Sequence, residues 1–234
     1  MRRRLILGPP GTGKTTRLLQ IAEDWVAQGI DPGRLGFATF TREARRVAVS
    51  RFVEAGIPAA ELVHFRTIHS SMARALALSR SQYVTEKDLS DFSKAFGYRL
   101  TGGTTDIEDD PTPRPDTDDG RLLAWLELGR ARCQTDEETA DQIEHYHDRQ
   151  AFIVFARRYR SWLEDIEKFD YTSILETAIR QGIRLPVSHL IIDEAQDLSP
   201  LQIAAMAATI DAPGTVEVVV AGDDDQAIYG FAGS

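Results

Sequence analysis

Apolar residues recur along this chain with two different periods. Short apolar-rich runs occur at Arg4 to Leu7, Leu35 to Phe40, Leu62 to Ile68, Val187 to Ile192 and Val216 to Ala221, and each predicts a buried strand. Between them the apolar positions return every three or four residues. Leu18, Leu19, Ile21, Ala22, Trp25 and Val26 mark one helix, which stops at Gly29 before the turn Asp31-Pro32-Gly33. A second helix runs from a cap at Thr41 to about Ala55, with Gly56 as its stop. A third runs from about His69 to Leu78, and a late one from Pro200 to Ile210. Strands alternating with helices predict a parallel sheet covered on both faces.

The middle of the chain breaks that alternation. Phe155, Tyr159, Trp162, Leu163 and Ile166 form one helical stripe, and Thr135 with Glu138 forms a capping box for an earlier helix. Residues Thr101 to Gly120 are rich in Gly, Pro, Thr and Asp and predict a loop without regular structure. The expected organisation is an α/β unit over 1–78 and 166–234, interrupted by a mainly helical insertion over 79–165 that carries the acidic loop. No internal repeat is visible.

Composition narrows the class. The 234 residues, 42% of them hydrophobic, suffice for one sizeable core and a smaller attached unit. No apolar run approaches the roughly 20 residues that a membrane span requires. Met1-Arg2-Arg3-Arg4 is followed by too short an apolar run for a secretion signal, so a cytoplasmic protein without membrane contact is expected. The single cysteine, Cys133, excludes an internal disulfide and a multi-cysteine metal site. The net charge of -9 argues against a general polyanion binder. Residues 1–80 nevertheless hold 13 Lys+Arg against 6 Asp+Glu, while the remainder holds 14 against 30. That asymmetry is compatible with a local nucleic-acid surface and equally with ordinary solvated faces.

Three segments carry chemistry. Gly8-Pro9-Pro10-Gly11-Thr12-Gly13-Lys14-Thr15 fits a phosphate loop between a strand and a helix. Glycines let backbone N–H groups turn inward around phosphate oxygens, and the following helix points its positive end at the same anion. Gly8, Gly11, Thr12, Gly13, Lys14, Thr15 and Thr16 are the expected phosphate-binding residues. Lys14 reaches the β- and γ-phosphates of ATP and the Thr15 hydroxyl ligates Mg²⁺. Arg17, Arg42 and Arg51, near in sequence, are better placed to hold phosphate or base from below than to reach across a cleft. The second segment is the strand His189-Leu190-Ile191-Ile192 followed by Asp193-Glu194. Two acids at the C-terminal edge of a parallel sheet lie where ligands bind, so Asp193 is expected to hold Mg²⁺ and Glu194 to accept the proton of the attacking water. The third runs from Ala221-Gly222-Asp223-Asp224-Asp225-Gln226 to Tyr229-Gly230-Phe231. Tyr229 and Phe231 share one face if extended, and serve either as base-stacking platforms or as core residues.

The ordered set of these strings resembles the UvrD/Rep-like superfamily 1 DNA helicases, N-terminal half. Asp193-Glu194-Ala195-Gln196 with Gly222 to Phe231 is similar to motifs II and III of that family. Thr39-Phe40-Thr41-Arg42-Glu43-Ala44 is similar to its motif Ia, and Thr67-Ile68-His69-Ser70 to the next DNA-contact motif. Asp170-Tyr171-Thr172-Ser173-Ile174-Leu175 is a weaker match to a segment the family carries after its inserted subdomain. The resemblance implies a RecA-like P-loop NTPase domain, ATP and Mg²⁺ as cofactors, and 3′ to 5′ translocation on single-stranded DNA. It implies that Gln226 contacts the γ-phosphate, and that Phe40, Thr41, Thr67, His69, Tyr229 and Phe231 line the strand path. His69 can equally be a capping or core histidine. A nucleotide-gated DNA-binding module without motor activity is the alternative. The chain departs from the family pattern in lacking an adenine-reading glutamine upstream of the loop, and in carrying Phe231, Ala232 and Ser173 where relatives carry Trp, Arg and an acid. The second RecA-like domain, with its ATP-site arginines, is the expected partner from outside these 234 residues.

Overall fold

The computed structural model describes residues 1–39, 42–100 and 117–223. Five strands form one sheet, β1 (Arg2–Leu7), β2 (Leu35–Thr39), β3 (His64–Thr67), β4 (His189–Ile192) and β5 (Glu217–Gly222), in the order β1-β5-β4-β2-β3. All four pairings are parallel. Leu7 lies beside Gly222, Ile192 beside Val220 and Ala38, and Thr39 beside Thr67. Every strand therefore ends at the same edge, and the loops leaving the strands are gathered there.

Helices α1 (Lys14–Ala27) and α2 (Arg42–Glu54) cover one face of the sheet. Their core holds Leu18, Trp25, Phe52, Phe37, Phe65 and Val219. Helices α3 (Ile68–Ala75), α8 (Tyr171–Arg180) and α9 (Pro200–Ile210) cover the other, around Met72, Ile174, Leu190, Met206 and Val220. The strands β2, β4 and β5 are buried at every position. That double coverage is why they read as continuous apolar runs.

Between α3 and α8 lie α4 (Glu86–Phe96), α5 (Asp118–Ala131), α6 (Asp136–Asp141) and α7 (Tyr146–Asp165). They share a third core of Val84, Phe92, Leu126, Phe152, Phe155, Tyr159 and Trp162. The stripe expected from Phe155, Tyr159, Trp162 and Leu163 faces this core. Thr135 and Glu138 form the expected capping box at α6.

Two expectations change. Arg4 to Leu7 reads as a buried strand, but β1 is an edge strand with Leu5 59% and Leu7 51% exposed. Its single ladder partner among the described residues is β5, and an apolar run does not say how many neighbours a strand has. The expected irregular stretch 101–120 is also shorter at its end. Thr117 accepts a hydrogen bond from Gly120 N and starts α5 at Asp118, as a threonine cap does. The rest of that stretch, 101–116, lies outside the described residues.

Candidate nucleotide site and strand path

Leu7 ends β1 against Gly222, and Gly8 N donates to Gly222 O at 3.2 Å. The loop that opens there is set by backbone conformation. Gly11 and Gly13 take φ of 79° and 82°, the left-handed region, although a Cβ at either would meet no neighbour. Glycine is thus required by the turn, not by crowding. Gly13 precedes α1 without any side-chain cap, so the first N–H groups of α1 are left for an anion. Thr12 Oγ1 donates to Pro9 O at 2.8 Å and holds the loop's own shape. Thr16 is exposed.

Lys14 is 8% exposed, and its ammonium donates to Gly8 O at 2.6 Å and Pro9 O at 3.2 Å. The cation is folded onto the carbonyls of its own loop. Thr15 Oγ1 donates to Asp193 Oδ2 at 2.8 Å across 178 positions of sequence. Asp193 is buried, and burial pushes its carboxyl up from the ordinary range. The Thr15 hydrogen bond opposes that shift and the Glu194 charge adds to it. The neighbouring Asp197 is raised for the same two reasons, burial first and then Glu194. A hydroxyl beside a buried carboxylate is a hard, all-oxygen donor set, which fits Mg²⁺. No group of three or more His, Cys, Asp or Glu among the described residues could hold a metal. A cation here would therefore complete its shell with phosphate and water oxygens.

Glu194 has φ 51° and ψ 47°, a left-handed conformation unusual for a residue with a side chain. Its N–H donates to Asp193 Oδ1 at 3.0 Å. Its carboxylate accepts from Gln196 Nε2 at 2.8 Å, while Gln196 Oε1 accepts from Asp223 N at 3.1 Å. Gln196 therefore ties Glu194 to the end of β5. The sequence shows Gln196 only as part of a string; its bridging role comes from the meeting of β4 and β5.

Arg42 is the first residue of α2 and is half-buried. Arg51 is paired with Glu23, and Arg17 donates to Gln20. Among the residues expected on the strand path and at the γ-phosphate, Phe40, Thr41, Gln226, Tyr229 and Phe231 lie outside the described residues. Thr67 is buried and caps α3, accepting from Ser70 N. His69 is 3% exposed and stacks on Tyr171, with ring centroids 3.3 Å apart and planes at 22°. Burial pulls its imidazole down to about 3, so the ring is neutral. In this arrangement the half-buried ring over that position is Tyr171, with His69 beneath it. Nothing in the local sequence pattern pairs these two rings, which are brought together by α3 packing on α8.

A phosphate loop and a carboxylate-ended strand, meeting on an all-parallel sheet in this order, define a RecA-like P-loop NTPase domain. The profile of the UvrD/REP helicase N-terminal domain matches residues 2–234, and the chain belongs to that family. No curated protein matched the chain. Among the described residues, no helix is long and apolar enough to cross a membrane.

Proposed function

We propose that this chain is the ATP-binding domain of an ATP-driven translocase that moves 3′ to 5′ on single-stranded DNA. The observation that carries the reading is the bond between Thr15 and Asp193, which joins phosphate loop to acidic strand end at hydrogen-bond distance. Lys14, released from Gly8 O and Pro9 O, holds the β- and γ-phosphates. Thr15 and Asp193 hold Mg²⁺, which neutralises phosphate charge when bound. Glu194, oriented by Gln196, takes the proton of the attacking water. Gln226 senses the γ-phosphate, and Arg42 supports the nucleotide from the start of α2. The second RecA-like domain supplies the arginine for the far side of the γ-phosphate, worth about 10³–10⁵ in rate. Phe40, Thr41, Tyr229 and Phe231 line the strand, and Tyr171 offers its ring above His69, while the buried Thr67 and His69 act from beneath.

Fluorescent ATP titration and steady-state turnover test this together. Lys14→Ala is expected to abolish nucleotide binding. Glu194→Gln is expected to retain binding while removing DNA-stimulated turnover. Unchanged turnover in Glu194→Gln would exclude Glu194 as the base. Nucleotide-dependent DNA binding without any turnover, even with the second domain present, would favour a gated binding module.

A further inference from the structure

Arg130, near the end of α5, is an enclosed cation bridge between the middle helices and α8. Its side chain is 2% exposed. Nη1 and Nη2 donate to the two oxygens of Asp170 at 2.7 and 3.2 Å. Nε and Nη2 donate to the two oxygens of Glu176 at 2.8 and 2.7 Å. The Tyr159 hydroxyl on α7 also lies near Asp170. One guanidinium thus grips two carboxylates that belong to a single helix. Asp170 is the N-cap of α8 and accepts from Ser173 N at 2.7 Å, while Glu176 lies within α8.

This grip bears directly on the residue next to Asp170 in the chain. Tyr171 is the first residue of α8, and its ring lies on His69. A helix held at one point can roll about its axis. A helix held at its cap and again further along cannot, and a roll is the motion that would slide Tyr171 off His69. Arg130 is itself held in place from behind. Gly129 lies so close to α6 that an added Cβ would meet Thr139 Oγ1 at 2.0 Å. The arginine fork is planar and rigid and fits two bidentate carboxylates in a way that a lysine ammonium does not.

We propose that Arg130 is a positioning residue for the single-strand path, fixing the Tyr171–His69 stack by locking the roll of α8 to the middle helices. The DNA part of this rests on the reading under Proposed function. The stack itself does not, and the test separates the two.

The first readout is the imidazole signals of His69 in a proton–carbon spectrum, displaced by the ring current of Tyr171. The second is affinity for oligothymidylate, and the third is affinity for a fluorescent ATP analogue. Arg130→Lys keeps the charge and loses the fork. It is expected to remove the His69 displacement and weaken oligothymidylate binding by about tenfold, with nucleotide affinity unchanged. Glu176→Gln removes only the second anchor and is expected to give an intermediate displacement. It serves in place of Arg130→Lys should that variant fail to fold. His69 signals identical to wild type in a folded variant would overturn the proposal, as would equal loss of oligothymidylate and nucleotide binding, which marks general destabilisation. Wild-type protein that binds no oligothymidylate would remove the DNA reading, and the role of Arg130 in holding the stack would then stand or fall on the His69 signals.

Discussion

At the scale of single residues, His69 lies under Tyr171 and away from water, and its imidazole stays neutral down to about pH 3. An unfolded histidine takes a proton near pH 6.5. Between those values the unfolded chain binds more protons than the folded one, so stability falls as pH drops from about 6.5 toward about 3. The slope from one such group is at most about 1.4 kcal/mol per pH unit. Replacing His69 with Phe is expected to flatten that part of the profile without altering it above about pH 6.5. Denaturant titrations at several pH values measure the difference, and it isolates His69 from the also-depressed His64 and His189. Parallel profiles for variant and wild type would mean that water reaches the ring. Tyr171→Ala should act on the same profile from the other side, raising the His69 pKa toward its ordinary value by letting water in.

Between elements, α5 packs closely on α6 at Gly129. A Cβ on Gly129 would meet Thr139 Oγ1 at 2.0 Å and Thr139 Cγ2 at 2.9 Å. Gly129→Ala is therefore expected to cost about 1–3 kcal/mol through overpacking. Combining it with Thr139→Ala should recover most of that loss, and thermal melts of the three variants decide it. Arg130→Met should cost more, about 3–5 kcal/mol, because Asp170 would stay buried without a cation. These contacts also mark where sequence reading stops. The spans of β4, β5 and α9 are readable because burial on both faces or on one stripe leaves a local period. The glycine-rich loop after β1 and the Asp193-Glu194 pair after β4 are visible as strings because each lies in consecutive residues. Arg130 finds its partners 40 and 46 positions away, and Gln196 reaches Asp223 across 27, so no local period announces them. The exposure of β1 is hidden for a related reason: strand order is a property of the whole sheet.

For the molecule as a whole, charge and topology set two behaviours. With +7 formal charges over residues 1–80 and -16 over the rest, attraction to a polyanion is confined to one part of an acidic protein. Binding to single-stranded DNA is expected to be weak, indifferent to base sequence and strongly reduced by salt. Anisotropy titrations at several salt concentrations check this, and salt-independent binding would argue for a mainly apolar contact. The sheet order has a consequence for synthesis. β1 leaves the ribosome before the other strands of the sheet, yet its ladder partner β5 is made more than two hundred residues later. The phosphate loop at the end of β1 thus waits, unanchored, for nearly the whole of this domain's translation. Nascent chains arrested before Glu217 should capture no fluorescent ATP analogue, and chains in which Gly222 has cleared the exit tunnel should. In the interval the exposed Leu5 and Leu7 belong to an unpaired strand, the kind of segment that chaperones bind. On the proposed reading, the nucleotide grip forms only once β5 is made, and a chain abandoned before that point is expected to bind no ATP.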